Sequence, residues 1–157
     1  MSLKKQFSPM TRVLNKFVRT FDEEYSCKFG SDFLAVNDEL ITYTIAISDR
    51  DAISFQKDFI RHFPRCADFN IFTLSFMHEL GHLETALDTV NDIKQREEIS
   101  AMQDYDKAMR KYYALYNERI ATNWAGKYLT EHHDDMKKWE TKVLKTLQKI
   151  LDKTIEE

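Results

Sequence analysis

The chain has 157 residues, of which 43% are hydrophobic and 31% charged, and its formal net charge at pH 7 is -3. This length is sufficient to bury a hydrophobic core, so we expect a single domain over residues 1–157. The small net charge gives no global electrostatic case for direct nucleic-acid binding. The sequence also lacks any apolar run near 18 residues, which argues against a transmembrane helix.

Helices should dominate, because the chain contains only three glycines and two prolines. The pair Ser8-Pro9 is typical of a helix start, with proline at the first helical position, and predicts a helix over about 8–25. A second helix is predicted over about 49–63, where Pro64 ends it. The charged segment 89–117, rich in tyrosine at its end, and the segment 134–155 also predict helices.

A short antiparallel sheet is predicted between the first two helices. The segments 33–36 and 40–47 carry the strand signal, because apolar and β-branched residues alternate with small or polar ones. Asn37-Asp38 between them predicts the turn of a hairpin. We therefore expect a mostly helical α+β fold, with a small N-terminal antiparallel sheet whose edge could pair with an extended peptide.

The segment 69–87 predicts a buried helix, starting after Asp68 or Asn70 as N-cap. On a helical wheel, two histidines lie opposite an apolar stripe. The residues of that stripe are Phe69, Phe72, Phe76, Leu80, Leu83 and Leu87. A helix that is apolar almost all round should lie between two layers of structure, so the histidines should face another element of the protein.

This helix carries the pentapeptide His78-Glu79-Leu80-Gly81-His82, which matches the metalloprotease pattern H-E-x-x-H. Residues four apart lie above one another on a helix, so His78 and His82 can reach one zinc ion. Glu79 lies about 100° round the helix and can act as the general base toward water. The alternative interpretation is two helical histidines beside a surface glutamate.

A catalytic zinc requires a third protein ligand, and the best candidate is Glu118 in a later predicted helix. Glu118 shares a helix face with Ala121 and Ala125, whose small side chains would allow close packing against the motif helix. A carboxylate on such an inward face needs a cation. Weaker rivals in polar surroundings are Glu97, Glu98 and Glu131, and the alternative for Glu118 is a solvated carboxylate.

These pieces resemble the ImmA/IrrE-like zinc metallopeptidases. The resemblance is carried by Phe72-Thr73-Leu74 with the pentapeptide, and by Glu118 with the alanines and Asn123-Trp124 that follow it. It covers about 60 residues. The resemblance implies a zincin-like core, the zinc ligands His78, His82 and Glu118, and Glu79 as base. It also implies an intracellular bacterial protein, often from a phage or other mobile element, that cleaves or antagonises a transcriptional repressor.

Two functions from different classes follow. The first is a zinc-dependent endopeptidase that hydrolyses an intracellular protein, with a repressor as the suggested substrate. The second is a non-catalytic zincin-like scaffold that binds a regulatory protein; the presence of Glu79 favours the enzyme. The polar N-terminus and the two isolated cysteines indicate a cytoplasmic protein, with no membrane partner.

Overall fold

The computed structural model describes residues 8–29, 34–36, 41–43 and 49–156. The chain divides into two compact units, one formed by 1–48 with 133–157 and the other by 49–132. The described part is mostly helical, as predicted from the sequence. The expected single domain over 1–157 stays a prediction.

The described residues form seven α-helices and three short strands. The helices are α1 (Ser8–Val18), α2 (Asp49–His62), α3 (Ile71–Glu84), α4 (Ile93–Ser100), α5 (Tyr105–Ala114), α6 (Tyr116–Glu131) and α7 (His133–Glu156). The strands are β1 (Cys27–Phe29), β2 (Leu34–Val36) and β3 (Ile41–Tyr43). Among these described helices, none is both long and apolar enough to cross a bilayer.

The first unit contains α1, the strands and α7. The strands pair antiparallel in the order β1-β2-β3, with Val36 opposite Ile41. The predicted turn at Asn37-Asp38 and the predicted strand residues 44–47 lie outside the described residues. Helix α1 is shorter than the predicted 8–25 and packs on α7, with the rings of Phe17 and Trp139 4.7 Å apart.

The second unit is organised around α3 and α6. Asn70 caps α3, because its Oδ1 accepts a hydrogen bond from the backbone N–H of Phe72 at 2.8 Å. Most α3 side chains are buried, as expected for a helix that is apolar almost all round. The helix ends at Glu84, so Leu87 leaves the predicted apolar stripe and is fully exposed.

Gly81 sets the distance between α3 and α6. A Cβ atom built on Gly81 would overlap the carbonyl oxygen of Ala121 and lie 3.1 Å from its carbonyl carbon. Ala121 and Ala125 are both fully buried on the α6 side. Small residues on both helices therefore allow close packing, as the sequence indicated.

The predicted helix over 89–117 is wrong, because the structure divides this segment. Helix α4 ends at Ser100, and Asp104 caps α5 by accepting from the backbone N–H of Lys107 at 3.1 Å. Leu115 then adopts an extended ψ of 136° and separates α5 from α6. Because of the break at Leu115, Glu118 lies on a separate helix, α6.

Candidate metal centre

Three side chains from α3 and α6 converge inside the second unit. The two Nε2 atoms of His78 and His82 are 3.1 Å apart. Nε2 of His78 lies 3.2 Å from Oε1 of Glu118, and Nε2 of His82 lies 3.1 Å from Oε2. Among the described residues, these three form the group that could hold a metal ion.

The spacing of these atoms fits a metal site as well as a cluster of hydrogen bonds. In a tetrahedral zinc site with Zn–N distances near 2.0–2.1 Å, ligand atoms are about 3.3 Å apart, close to the separations here. The two Nε2 atoms are in contact, and both face the carboxylate of Glu118. The lone pair or proton of each nitrogen is therefore directed at one common point. Two imidazole nitrogens and one carboxylate oxygen are a donor set that zinc accepts.

The centre is buried on one side and partly open on the other. The exposed fraction is 6% for His78 and 4% for Glu118. The side chain of His82 is 21% exposed, so the open side lies at the second histidine. This arrangement allows a small ligand to approach while most of the cluster stays away from water.

Residues around the centre hold the imidazole of His78 in place. Oγ1 of Thr122 lies 2.8 Å from Nδ1 of His78, the ring nitrogen that faces away from the cluster. The ring of Phe55 on α2 meets the imidazole edge to face, with centroids 5.4 Å apart. His78 is therefore held through its ring face and its outer nitrogen, as metal-binding histidines usually are.

Arg96 on α4 holds the carboxylate of Glu118. Its Nη2 donates to Oε2 of Glu118 at 2.9 Å, and its Nε donates to Oδ1 of Asp92 at 2.9 Å. Asn117 supports Asp92 through a hydrogen bond of 3.2 Å from its Nδ2. Arg96 could not be identified from the sequence, because no local pattern reveals a contact between residues 22 positions apart.

The ionisation of Glu118 follows from these partners. Burial alone would raise the pKa of this carboxyl group. Hydrogen bonds from His78 and His82, together with their positive charge when protonated, outweigh burial and hold the pKa of Glu118 far below its usual range. Glu118 is therefore present as a carboxylate, the form that binds a metal.

Glu79, the expected base, belongs to the same electrostatic environment. It is half-buried in α3 between the two histidines in sequence. Burial raises the pKa of Glu79, whereas the charges of His78 and His82 act in the opposite direction and Glu118 adds to the rise. A carboxyl group with a raised pKa is suited to accept and return a proton.

The other residues that the sequence suggested for the site lie in different surroundings. The rivals Glu97, Glu98 and Glu131 are exposed and do not join the described cluster. Of the tyrosines at the end of the segment 89–117, Tyr112 interacts with Glu118, and burial together with the nearby carboxylate raises the pKa of Tyr112. The hydroxyl of Tyr113 instead donates to Oγ of Ser54 at 3.2 Å.

Comparison with known proteins identifies no relative. No family model, curated protein or solved structure matches this chain. The interpretation of the centre therefore depends on its own geometry and chemistry.

Proposed function

We propose that this chain is a zinc-dependent endopeptidase that hydrolyses peptide bonds of an intracellular protein. The observation that carries the proposal is the convergence of His78, His82 and Glu118, with Glu79 beside them in the motif helix. Zinc is favoured over harder cations such as Mg²⁺ and Ca²⁺, because two of the three donors are imidazole nitrogens.

The number of protein ligands supports a catalytic role. Structural zinc sites usually have four protein ligands, whereas catalytic sites have three and leave one position open. Three candidate ligands from the described residues meet here, and the partial exposure of His82 gives access to the cluster. A purely structural site does not need a half-buried carboxyl group next to its ligands, so the position of Glu79 also favours catalysis.

The proposed reaction is hydrolysis of an amide bond. Zinc would supply Lewis acidity, which polarises a carbonyl oxygen and lowers the pKa of water. Glu79 accepts a proton from the attacking water while the water oxygen bonds to the carbonyl carbon of the substrate. Glu79 then delivers that proton to the leaving amine. Thr122 and Arg96 keep His78 and Glu118 in position throughout.

The substrate proposal comes from the family resemblance. The pentapeptide and the later Glu118 segment resemble ImmA/IrrE-like metallopeptidases, which adds a zincin-like core and a transcriptional repressor as the proposed target. The proposed docking site for that protein is the edge of the hairpin formed by β2 and β3.

Metal analysis with a matched base variant tests the proposal. Protein purified without chelator should contain about one zinc per chain, and Glu79→Gln should retain it, because the amide is nearly isosteric and no ligand is lost. Both proteins are then incubated with a denatured cell extract, and new α-amino termini are counted by mass spectrometry. The wild type should produce new termini and Glu79→Gln none, while His78→Ala should lose the metal as well.

Three outcomes would contradict different parts of the proposal. Equal numbers of new termini from wild type and Glu79→Gln would exclude Glu79 as the base. Absence of any transition metal would remove the zinc proposal altogether. A zinc-loaded wild type that binds a regulatory protein tightly and never cuts it would indicate the non-catalytic scaffold.

A further inference from the structure

The side chain of Thr122 makes a contact that none of the sequence motifs assigns. Its Oγ1 lies 2.8 Å from Nδ1 of His78, and both residues are buried, with exposed fractions of 3% and 6%. Neutral imidazole carries one proton on either Nδ1 or Nε2, and only the nitrogen without the proton can bind a metal. When Nε2 binds a metal, the proton is on Nδ1, and this buried N–H then needs a hydrogen-bond acceptor.

We propose that Thr122 is a positioning residue that supplies the hydrogen-bond acceptor for Nδ1–H in the metal-binding tautomer of His78. The hydroxyl oxygen accepts a hydrogen bond from Nδ1–H, which leaves the lone pair of Nε2 directed at His82 and Glu118. The inference rests on the proposed metal site, and it adds a role for a residue that binds neither metal nor substrate.

The fold makes this contact difficult to replace. Thr122 follows Glu118 by one helical turn, so α6 supplies a ligand and also fixes the imidazole of another ligand. The overlap that a Cβ on Gly81 would make with Ala121 shows that α3 and α6 already touch through their backbones beside Thr122. With so little exposed surface, water cannot readily take the place of a missing hydroxyl group.

A hydroxyl group suits this position better than a purely accepting partner. It can also donate to Nδ1 when Nε2–H donates to Oε1 of Glu118, the atom 3.2 Å away. Threonine therefore satisfies the buried imidazole in both tautomers, whereas a carboxylate would satisfy only one. Removing the hydroxyl leaves Nδ1 without a partner in either tautomer, which is costly for a buried polar atom.

Zinc affinity measured by competition with a chromophoric chelator tests the inference. Thr122→Val is nearly isosteric but lacks the hydroxyl, and it should bind zinc about 10–100-fold more weakly than the wild type. Thr122→Ser restores the hydroxyl and should bind nearly as tightly as the wild type. Thr130→Val is the matched control, because Thr130 lies two turns further along α6 and its hydroxyl donates to the carbonyl of Gly126 at 2.7 Å.

A spectroscopic readout separates loss of the Nδ1–H hydrogen bond from a general loss of packing. In zinc-loaded protein, the Nδ1–H proton resonance of His78 should lie far downfield in wild type and Thr122→Ser. It should move upfield in Thr122→Val. If Thr122→Val fails to fold, Thr122→Ala removes the same hydroxyl without a new methyl group and allows the same two measurements.

The possible results have separate meanings. Wild-type affinity together with an unchanged Nδ1–H resonance in the folded Thr122→Val variant would overturn the role of Thr122 and leave the metal proposal intact. Equal weakening by Thr122→Val and Thr130→Val would also overturn it, because both would then act through helix stability. A wild type that binds no zinc would overturn the proposed function itself.

Discussion

Replacing Gly81 by alanine has two opposing effects. The higher helix propensity of alanine stabilises the protein, whereas the added methyl group disturbs the packing of α3 on α6 and the binding of a metal. In an exposed helix interior, glycine to alanine stabilises by about 1 kcal/mol. Here the added Cβ would overlap the backbone carbonyl of Ala121, which cannot rotate away as a side chain would. Overpacking of this kind typically costs about 1–3 kcal/mol. Because the overlapping atom belongs to the backbone, we expect a cost of about 2–3 kcal/mol, in the upper part of that range. After subtraction of the gain of about 1 kcal/mol from helix propensity, the free energy of unfolding should fall by about 1–2 kcal/mol.

The same change should weaken the metal centre. Separating α3 from α6 at Gly81 moves Glu118 away from His78 and His82, whose contacts with it are now only 3.1–3.2 Å long. Urea unfolding in the presence of chelator measures the stability term, and chelator competition measures the zinc affinity. We expect Gly81→Ala to have a lower free energy of unfolding and a lower zinc affinity than the wild type.

Gly126→Ala provides the matched control on the partner helix. Its Cβ would overlap the ring of Phe63, away from the metal ligands, so it should lower stability and leave zinc affinity close to that of the wild type once folded. A Gly81→Ala variant that is more stable than the wild type and binds zinc equally well would refute the reasoning. The close helix contact would then not control the site.

Three further predictions concern single residues outside the group of His78, His82 and Glu118. Leu87→Ser should change the free energy of unfolding by less than about 0.5 kcal/mol, because the side chain is fully exposed; a core residue would lose several times more in the same urea titration. Asn117→Ala should lower stability by about 1–3 kcal/mol, because it removes two hydrogen bonds, to the backbone N–H and carbonyl of Val90 at 2.9 and 2.8 Å, each worth about 0.5–1.5 kcal/mol. It should also speed amide hydrogen exchange at Val90, and unchanged exchange would contradict this. Burial raises the pKa of the Cys27 thiol from 9.0 to about 12, so the stability that the protonated thiol provides is complete below pH 9 and is lost as the pH rises toward 12. The difference in unfolding free energy between the wild type and Cys27→Ala at pH 8 and pH 10.5 measures this loss, and a constant difference would contradict it.

Local periodicity made much of the second unit predictable. The apolar pattern around the pentapeptide placed α3, and the small residues after Glu118 identified α6 as its close neighbour. Both inferences depend on side chains three or four residues apart, which lie on one helix face whatever the rest of the chain does. The group that could hold a metal ion could therefore be identified from two short segments.

Contacts and breaks that depend on distant residues could not be predicted in the same way. Arg96 reaches Glu118 because the chain breaks after Ser100 and again at Leu115, and nothing near Arg96 in the sequence indicates these breaks. Leu87 matched the apolar stripe but lies beyond the end of α3, where the hydroxyl of Thr85 donates to the carbonyl of Gly81 at 2.7 Å. Periodicity shows which face a residue would occupy, and it does not show where the helix stops.

The charges around Glu118 explain why an arginine can lie so close to a proposed cation site. Arg96 alone would repel a divalent ion, since two unit charges 4 Å apart interact by about 4 kcal/mol at an effective dielectric constant near 20. Asp92 lies 2.9 Å from the same guanidinium group and cancels its charge. The Arg96–Asp92 pair therefore orients Glu118 as a nearly neutral unit. The carboxylate charges of Glu118 and, once ionised, Glu79 remain to attract a metal, and with neutral histidines they balance the charge of one divalent cation.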